Sequence, residues 1–284
     1  MNRFAYYKPR SLDEALELKE KIPGALFIAG GTDILVKIKD GELRPPALIS
    51  LRSVPELCGI VDGDATRIGA MNTIRDLTEH PALRHSFPVL VDAALKHSGP
   101  QIRNVATIGG NLCNCSPCAD TATPLLVLGA KVRIRSAAGS RDIAIEEFFR
   151  GPGESCLASG EILTDILLRP PQKKARAAFL KKGRVRMDLA VASVALLLEM
   201  DGNRCLKARL AAGSVAPVPL RLPEVEALLE GSAISKEILS QVQEVASESV
   251  SPITDVRATE EYRRWIVGVL VRRAIEKSIG KRRR

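Results

Sequence analysis

Apolar positions along the chain fall into short runs punctuated by glycine and proline, and the period of the runs changes repeatedly. Ser11 followed by Glu14, with Leu12, Ala15, Leu16 and Leu18 on one face, predicts a capped amphipathic helix. Ile22-Pro23-Gly24 ends it, and residues 25–29 (Ala-Leu-Phe-Ile-Ala) read as a short buried strand. That strand runs into Gly30-Gly31-Thr32-Asp33, after which Ile34, Leu35 and Ile38 take helical spacing. A first glycine pair is therefore expected at a strand-to-helix turn. Further strands are predicted over 47–51 and 66–70, and a helix over 87–96. Another helix is predicted through Leu125, Leu126 and Leu128.

Residues 131–136 and 141–145 alternate in polarity around Gly139, as a hairpin does, and 161–168 is a strand stopped by Pro170-Pro171. The polar stretch from Gln172 to Arg176 marks a domain boundary, giving domains over 1–171 and 176–284. Residues 191–200 and 205–212 flank Asp201-Gly202-Asn203, a strong hairpin signal, and from Pro223 onward the pattern is helical.

Composition changes this picture little. With 284 residues, 45% hydrophobic and 26% charged, the chain can bury a sizeable core. No apolar run is long enough for a membrane span, and no secretory leader is expected. A cytoplasmic protein is therefore predicted. The net charge of +9 is concentrated at the C-terminal end, where nine basic residues and one acidic one follow Tyr262. That clustering predicts a solvated helix end rather than a nucleic-acid footprint. Six cysteines without an export signal argue for reduced thiols or metal ligands rather than a disulfide scaffold.

Candidate chemistry lies in two glycine pairs, Ala29-Gly30-Gly31-Thr32-Asp33 and Thr107-Ile108-Gly109-Gly110-Asn111. Paired glycines let backbone N–H groups approach an anion, and two such turns would clamp a pyrophosphate from both sides; each would equally serve as a plain tight turn. Neither is a Rossmann fingerprint. Cys113, Cys115 and Cys118 offer three soft ligands where an iron–sulfur cluster needs four, or else they are small thiols lining a pocket. His80, His85 and His97 show no metal-ligand spacing, and no nucleophile elbow is present. A bound cofactor would therefore carry any redox chemistry.

Both glycine motifs, Ser116-Pro117 with Asp120, and the later Asp255-Val256-Arg257-Ala258 and Tyr262-Arg263-Arg264 resemble the FAD-binding medium subunit of molybdenum hydroxylases, a family that includes the flavin subunits of xanthine dehydrogenase, carbon monoxide dehydrogenase and 4-hydroxybenzoyl-CoA reductase. The resemblance spans about residues 3–278. It implies an α+β architecture: a two-lobed FAD-binding domain of the vanillyl-alcohol-oxidase type, then a smaller α+β C-terminal domain. Ile28, Ala29, Gly30, Gly31, Thr32 and Asp33 would wrap the flavin's phosphates and ribityl chain. Thr107, Gly110 and Asn111 would hold the pyrophosphate from the other side, beside Cys113, and Asp120 would bond sugar or ribityl hydroxyls. Leu163 and Lys181 match positions near the flavin ring, although the chain is one residue shorter than usual between Lys181 and Asp188. With no histidine in either glycine motif, non-covalent attachment is implied. The implied partners are a molybdenum-cofactor large subunit and a [2Fe–2S] small subunit, in a heterotrimer or its dimer, with electrons leaving to NAD, a quinone or a ferredoxin. A stand-alone flavin oxidoreductase and an iron–sulfur-bearing scaffold subunit are the alternatives.

Overall fold

In the computed structural model, which describes residues 3–172 and 174–280, the first helix forms where its cap predicts, over Leu12–Lys21. Ser11 Oγ accepts the Glu14 N–H, but the Glu14 carboxylate turns back to the Arg10 N–H rather than to the cap's own. Strands Ala5–Tyr7, Ala47–Ser50 and Leu26–Ile28 make a parallel sheet with Ala47–Ser50 in the middle. All four residues of that middle strand are buried, which is why it reads as a continuous apolar run without alternation.

The second lobe is a five-stranded antiparallel sheet in the order Ile60–Val61, Thr66–Gly69, Ile162–Leu168, Lys131–Ser136, Gly139–Ala144. Its hairpin turns at Ala137-Ala138, with Ser136 opposite Gly139, so Gly139 opens the returning strand instead of forming the turn. Between Thr66–Gly69 and Lys131–Ser136 the chain runs through short helices: Ile74–Glu79, Pro81–Ser86, Pro88–Lys96, Pro100–Arg103, Ile108–Cys113 and Ala122–Val127. Three of them start on proline, whose missing N–H and fixed φ suit the first helical position. Gly109-Gly110 lies inside Ile108–Cys113 rather than in an open turn, which corrects the expectation for the second glycine pair.

Strands Arg176–Lys182, Ala192–Asp201, Arg204–Gly213 and Leu220–Arg221 form the last sheet, antiparallel throughout. It is covered on both faces. Phe179, Ala195 and Ala211 pack into the core of the second lobe, whereas Ala178, Val194, Leu196, Leu210 and Ala212 join the helices Pro223–Leu229, Lys236–Glu248 and Glu260–Ser278. Period-two alternation thus divides one strand between two cores. The basic helix Glu260–Ser278 is not uniformly solvated: Arg264 and Arg272 pair one turn away with Glu260 and Glu276, but Arg263 is buried. The Lys281-Arg282-Arg283-Arg284 end lies outside the described residues. No helix among them is long and apolar enough to cross a membrane.

Candidate functional site: two glycine segments and a buried carboxylate

The two glycine segments, far apart in sequence, meet between the lobes. A Cβ at Gly30 would overlap the Val105 carbonyl oxygen and come within 2.8 Å of its carbon, and a Cβ at Gly110 would lie 3.6 Å from Ala29 Cβ. Gly31 has φ +82°, a conformation glycine adopts without steric cost. Asn114 bridges the same junction: its Nδ2 donates to Asp33 Oδ1 at 3.2 Å and its Oδ1 accepts from Lys37 Nζ at 3.3 Å. Asp33 precedes the helix Ile34–Lys39 without capping it through its side chain. Ile28, the last residue of its strand, is buried beneath the turn, and Thr32 Oγ1 donates to Asp33 Oδ2 at 3.3 Å.

Backbone donors distinguish the two segments. The N–H groups of Ile108, Gly109, Gly110 and Asn111 are taken up by Asn72 O, Ala70 O, Thr107 Oγ1 and Thr107 O. By contrast, the N–H groups of residues 30–34 find no hydrogen-bond acceptor among the described residues. Successive free donors at a glycine turn form a concave anion site. The free backbone N–H groups are therefore on the first segment. The second segment contributes close approach and side chains, since Asn111 Oδ1 accepts from Thr121 Oγ1 at 2.6 Å and its amide N–H groups remain available as donors.

Asp120 is 2% exposed and precedes Thr121, whose hydroxyl bonds Asn111 of the second glycine segment. Its Oδ2 accepts from Lys181 Nζ at 2.8 Å and lies 3.3 Å from His97 Nδ1, while its Oδ1 is buried without a partner among the described residues. Lys181 occupies the same face of Arg176–Lys182 as Phe179, so the strand's alternation aims its ammonium at the first domain, where it also donates to Lys96 O at 3.2 Å. Lys96 in turn donates to Phe179 O, and burial, followed by repulsion from Lys277, lowers its pKa. Leu163 lies in the core at a bulge of Ile162–Leu168, a strand that touches Ile108–Cys113.

The cysteines do not assemble a cluster. Burial, with Cys115 and Cys156 close by, pushes the Cys113 thiol up to about 12, and burial with Cys156 does the same to Cys115. Burial of this kind suits small thiols packed in a core. Cys118 donates instead toward Ala190 O, and no group of three or more His, Cys, Asp or Glu among the described residues could hold a metal ion. The three-cysteine iron–sulfur reading is thus unsupported, and these residues line and pack the second lobe.

Sequence reasoning missed His97, Lys96, Asn114 and the 70–74 segment. Ala70 and Asn72 cradle the second glycine pair so closely that a Cβ on Gly109 would sit 2.6 Å from Ala70 Cβ. One signal was available, the Thr73–Asp76 capping box that opens Ile74–Glu79.

A run of free backbone N–H groups, an unpartnered buried carboxylate oxygen and a buried ammonium fit a dinucleotide with a hydroxylated chain, which is the chemistry of FAD. Comparison with known proteins agrees. Residues 2–171 match the FAD binding domain in molybdopterin dehydrogenase, and residues 177–278 match the CO dehydrogenase flavoprotein C-terminal domain. The chain is similar to the putative xanthine dehydrogenase FAD-binding subunit of Escherichia coli, with 33% identity over 279 residues, 97% of this chain and 96% of the relative. It is also similar to the carbon monoxide dehydrogenase medium chain of Afipia carboxidovorans, with 32% identity over 277 residues and the same shares. The structure of reconstituted CO dehydrogenase from Oligotropha carboxidovorans superimposes with a TM-score of 0.95 at 31% identity, covering 99% of both chains. From the two family matches, the full-length relatives and the shared fold, the chain belongs to the family of FAD-binding medium subunits of molybdenum hydroxylases, and is an oxidoreductase subunit.

Proposed function

We propose that this chain holds FAD between its two glycine segments and passes electrons from the [2Fe–2S] clusters of a small partner subunit to an acceptor such as NAD or a quinone, in an assembly whose molybdenum-bearing large subunit oxidises the substrate. The observation that carries this reading is the run of free N–H groups over 30–34, packed against the second glycine segment, together with the buried and unpartnered Asp120 Oδ1. When bound, FAD would supply the redox chemistry, accepting electrons singly from the clusters and passing them on singly or in pairs.

The protein's part is positioning and charge. In this reading Gly30, Gly31 and Thr32 present backbone N–H groups to the pyrophosphate, with Ile28, Ala29 and Asp33 shaping the turn. Thr107 and Gly110 keep the second segment close, and the Asn111 amide donates across the gap. Asp120 Oδ1 would accept from a sugar or ribityl hydroxyl, Leu163 and Cys113 would exclude water, and Lys181, held by Asp120, would add a positive charge to the flavin's surroundings. Division into a first domain over 1–171 and a second over 176–284 makes Lys181 the second domain's contribution to a site otherwise built by the first.

Reconstitution with the large and small subunits tests the relay. Stripping FAD from this chain is expected to abolish reduction of the acceptor by substrate while electrons still reach the iron–sulfur clusters. Acceptor reduction at the full rate without FAD would refute the relay, and substrate turnover by the chain alone would favour a stand-alone oxidoreductase.

A further inference from the structure

Asp120 is the most buried carboxylate at the junction, and its two oxygens are in different situations. Oδ2 carries the Lys181 ammonium at 2.8 Å, whereas Oδ1 has no partner among the described residues. A single ammonium is a point charge that lets a carboxylate pivot about it. The second group on Oδ2 is His97, with Nδ1 at 3.3 Å and off the line of a hydrogen bond, so that this ring nitrogen too is buried and unpartnered. Oδ2 already accepts from Lys181 and has lone pairs to spare, so a small rotation of the imidazole would let a proton on Nδ1 reach it, and the cost of a buried, unmet ring nitrogen favours that rotation.

His97 is also held in place. It ends the helix Pro88–Lys96, and the next residue, Ser98, has φ +43°. Arg103 Nη1 donates to the carbonyls of Leu95, His97 and Ser98, fastening the turn that carries the imidazole. An Nδ1 lone pair facing a carboxylate would be repelled, so a neutral ring in this position favours the tautomer with the proton on Nδ1.

We propose that His97 is a positioning residue for the flavin: by donating from Nδ1 to Asp120 Oδ2 beside Lys181, it fixes the carboxylate plane so that Oδ1 is presented to a hydroxyl of FAD. The inference rests on the reading that Asp120 faces FAD, and it adds a residue that neither the glycine motifs nor the spacing identified.

FAD dissociation constants measured by flavin fluorescence on the full-length chain test it with four variants: His97→Leu, His97→Asn, Asp120→Asn and the His97→Leu/Asp120→Asn pair. Asparagine keeps a donor near the Nδ1 position, so His97→Asn is expected to stay within about threefold of the parent while His97→Leu weakens binding about tenfold. Because His97 acts through Asp120, adding His97→Leu to Asp120→Asn should weaken binding by less than about twofold more. Equal loss in His97→Leu and His97→Asn, no loss in His97→Leu, or a full further loss in the pair would each overturn the proposal while leaving Asp120 at the flavin. Unchanged binding in Asp120→Asn would overturn the placement of Asp120 and the proposal with it. Melting curves without FAD identify any variant that has failed to fold, and His97→Ala replaces His97→Leu in that case.

Discussion

Single residues at the junction act through backbone geometry more than through reactive groups. Gly30 is the clearest case, because any side chain there meets the Val105 backbone, which has no flexible end to move aside. Gly30→Ala is expected to force the two segments apart and lower flavin retained per purified chain at least about tenfold, read from absorbance after gel filtration. Parental flavin content would show that the close approach is dispensable. A second residue effect concerns Asp255, on which Arg263 and Arg257 converge. Burial works against its charge, but the N–H of Arg257 and the guanidinium of Arg263 hold its pKa down to about 2. Because the folded value is depressed, the stabilisation is fully present above the ordinary carboxylate range and is lost as pH falls through about 2. Its size is about 1 kcal/mol after allowance for solvent. Asp255→Asn should therefore destabilise the chain at pH 7 and flatten the fall in stability on acidification, measured by urea unfolding. Arg263 itself also bonds Val191 O and Ser214 O from a buried position, so Arg263→Ala is expected to cost about 3 kcal/mol by leaving those partners unmet.

Among the elements, the strands of the last sheet carry two cores at once. Leu210 faces the C-terminal helices and Ala211 the second lobe. Leu210→Ala should cost about 3 kcal/mol of stability, and Ala211→Leu about 2 kcal/mol by overpacking. Denaturant midpoints check both, and a neutral Ala211→Leu would show that the two domains do not pack tightly there. This hairpin was legible in the sequence because Asp201-Gly202-Asn203 and its apolar flanks are local signals. The helix Ile108–Cys113 was not, since six residues containing two glycines have no helical preference of their own. What holds them is long-range: Asn72 O, Ala70 O and the Thr107 cap. The helices between Thr73 and Ser86 were likewise too short for periodicity, and only the Thr73 box and Pro81 announced them.

Across the whole molecule, the candidate site lies where three layers of the fold meet. The first glycine segment comes from the parallel sheet, the second from the helices of the antiparallel lobe, and Lys181 from the last sheet. The glycine pairs were readable from the chain, but by themselves they fitted a plain turn as well as an anion clamp, and FAD entered through the family resemblance. The pairing of Lys181 with Asp120, their sequence separation bridged only by tertiary packing, was not readable, nor was the presence of His97 beside them. Because these cysteines assemble no ligand group among the described residues, the purified chain should carry no stoichiometric iron, and replacing Cys113, Cys115 and Cys118 by serine should not remove a chromophore other than flavin. Iron near four atoms per chain would restore the cluster. The account as a whole stands on the junction being a flavin site, and an equilibrium titration of the deflavinated full-length chain with FAD addresses that point without any partner. One FAD per chain, saturable, released intact on denaturation and weakened by Gly30→Ala, is the predicted result. No saturable binding, or binding indifferent to Gly30→Ala, would contradict the site described here.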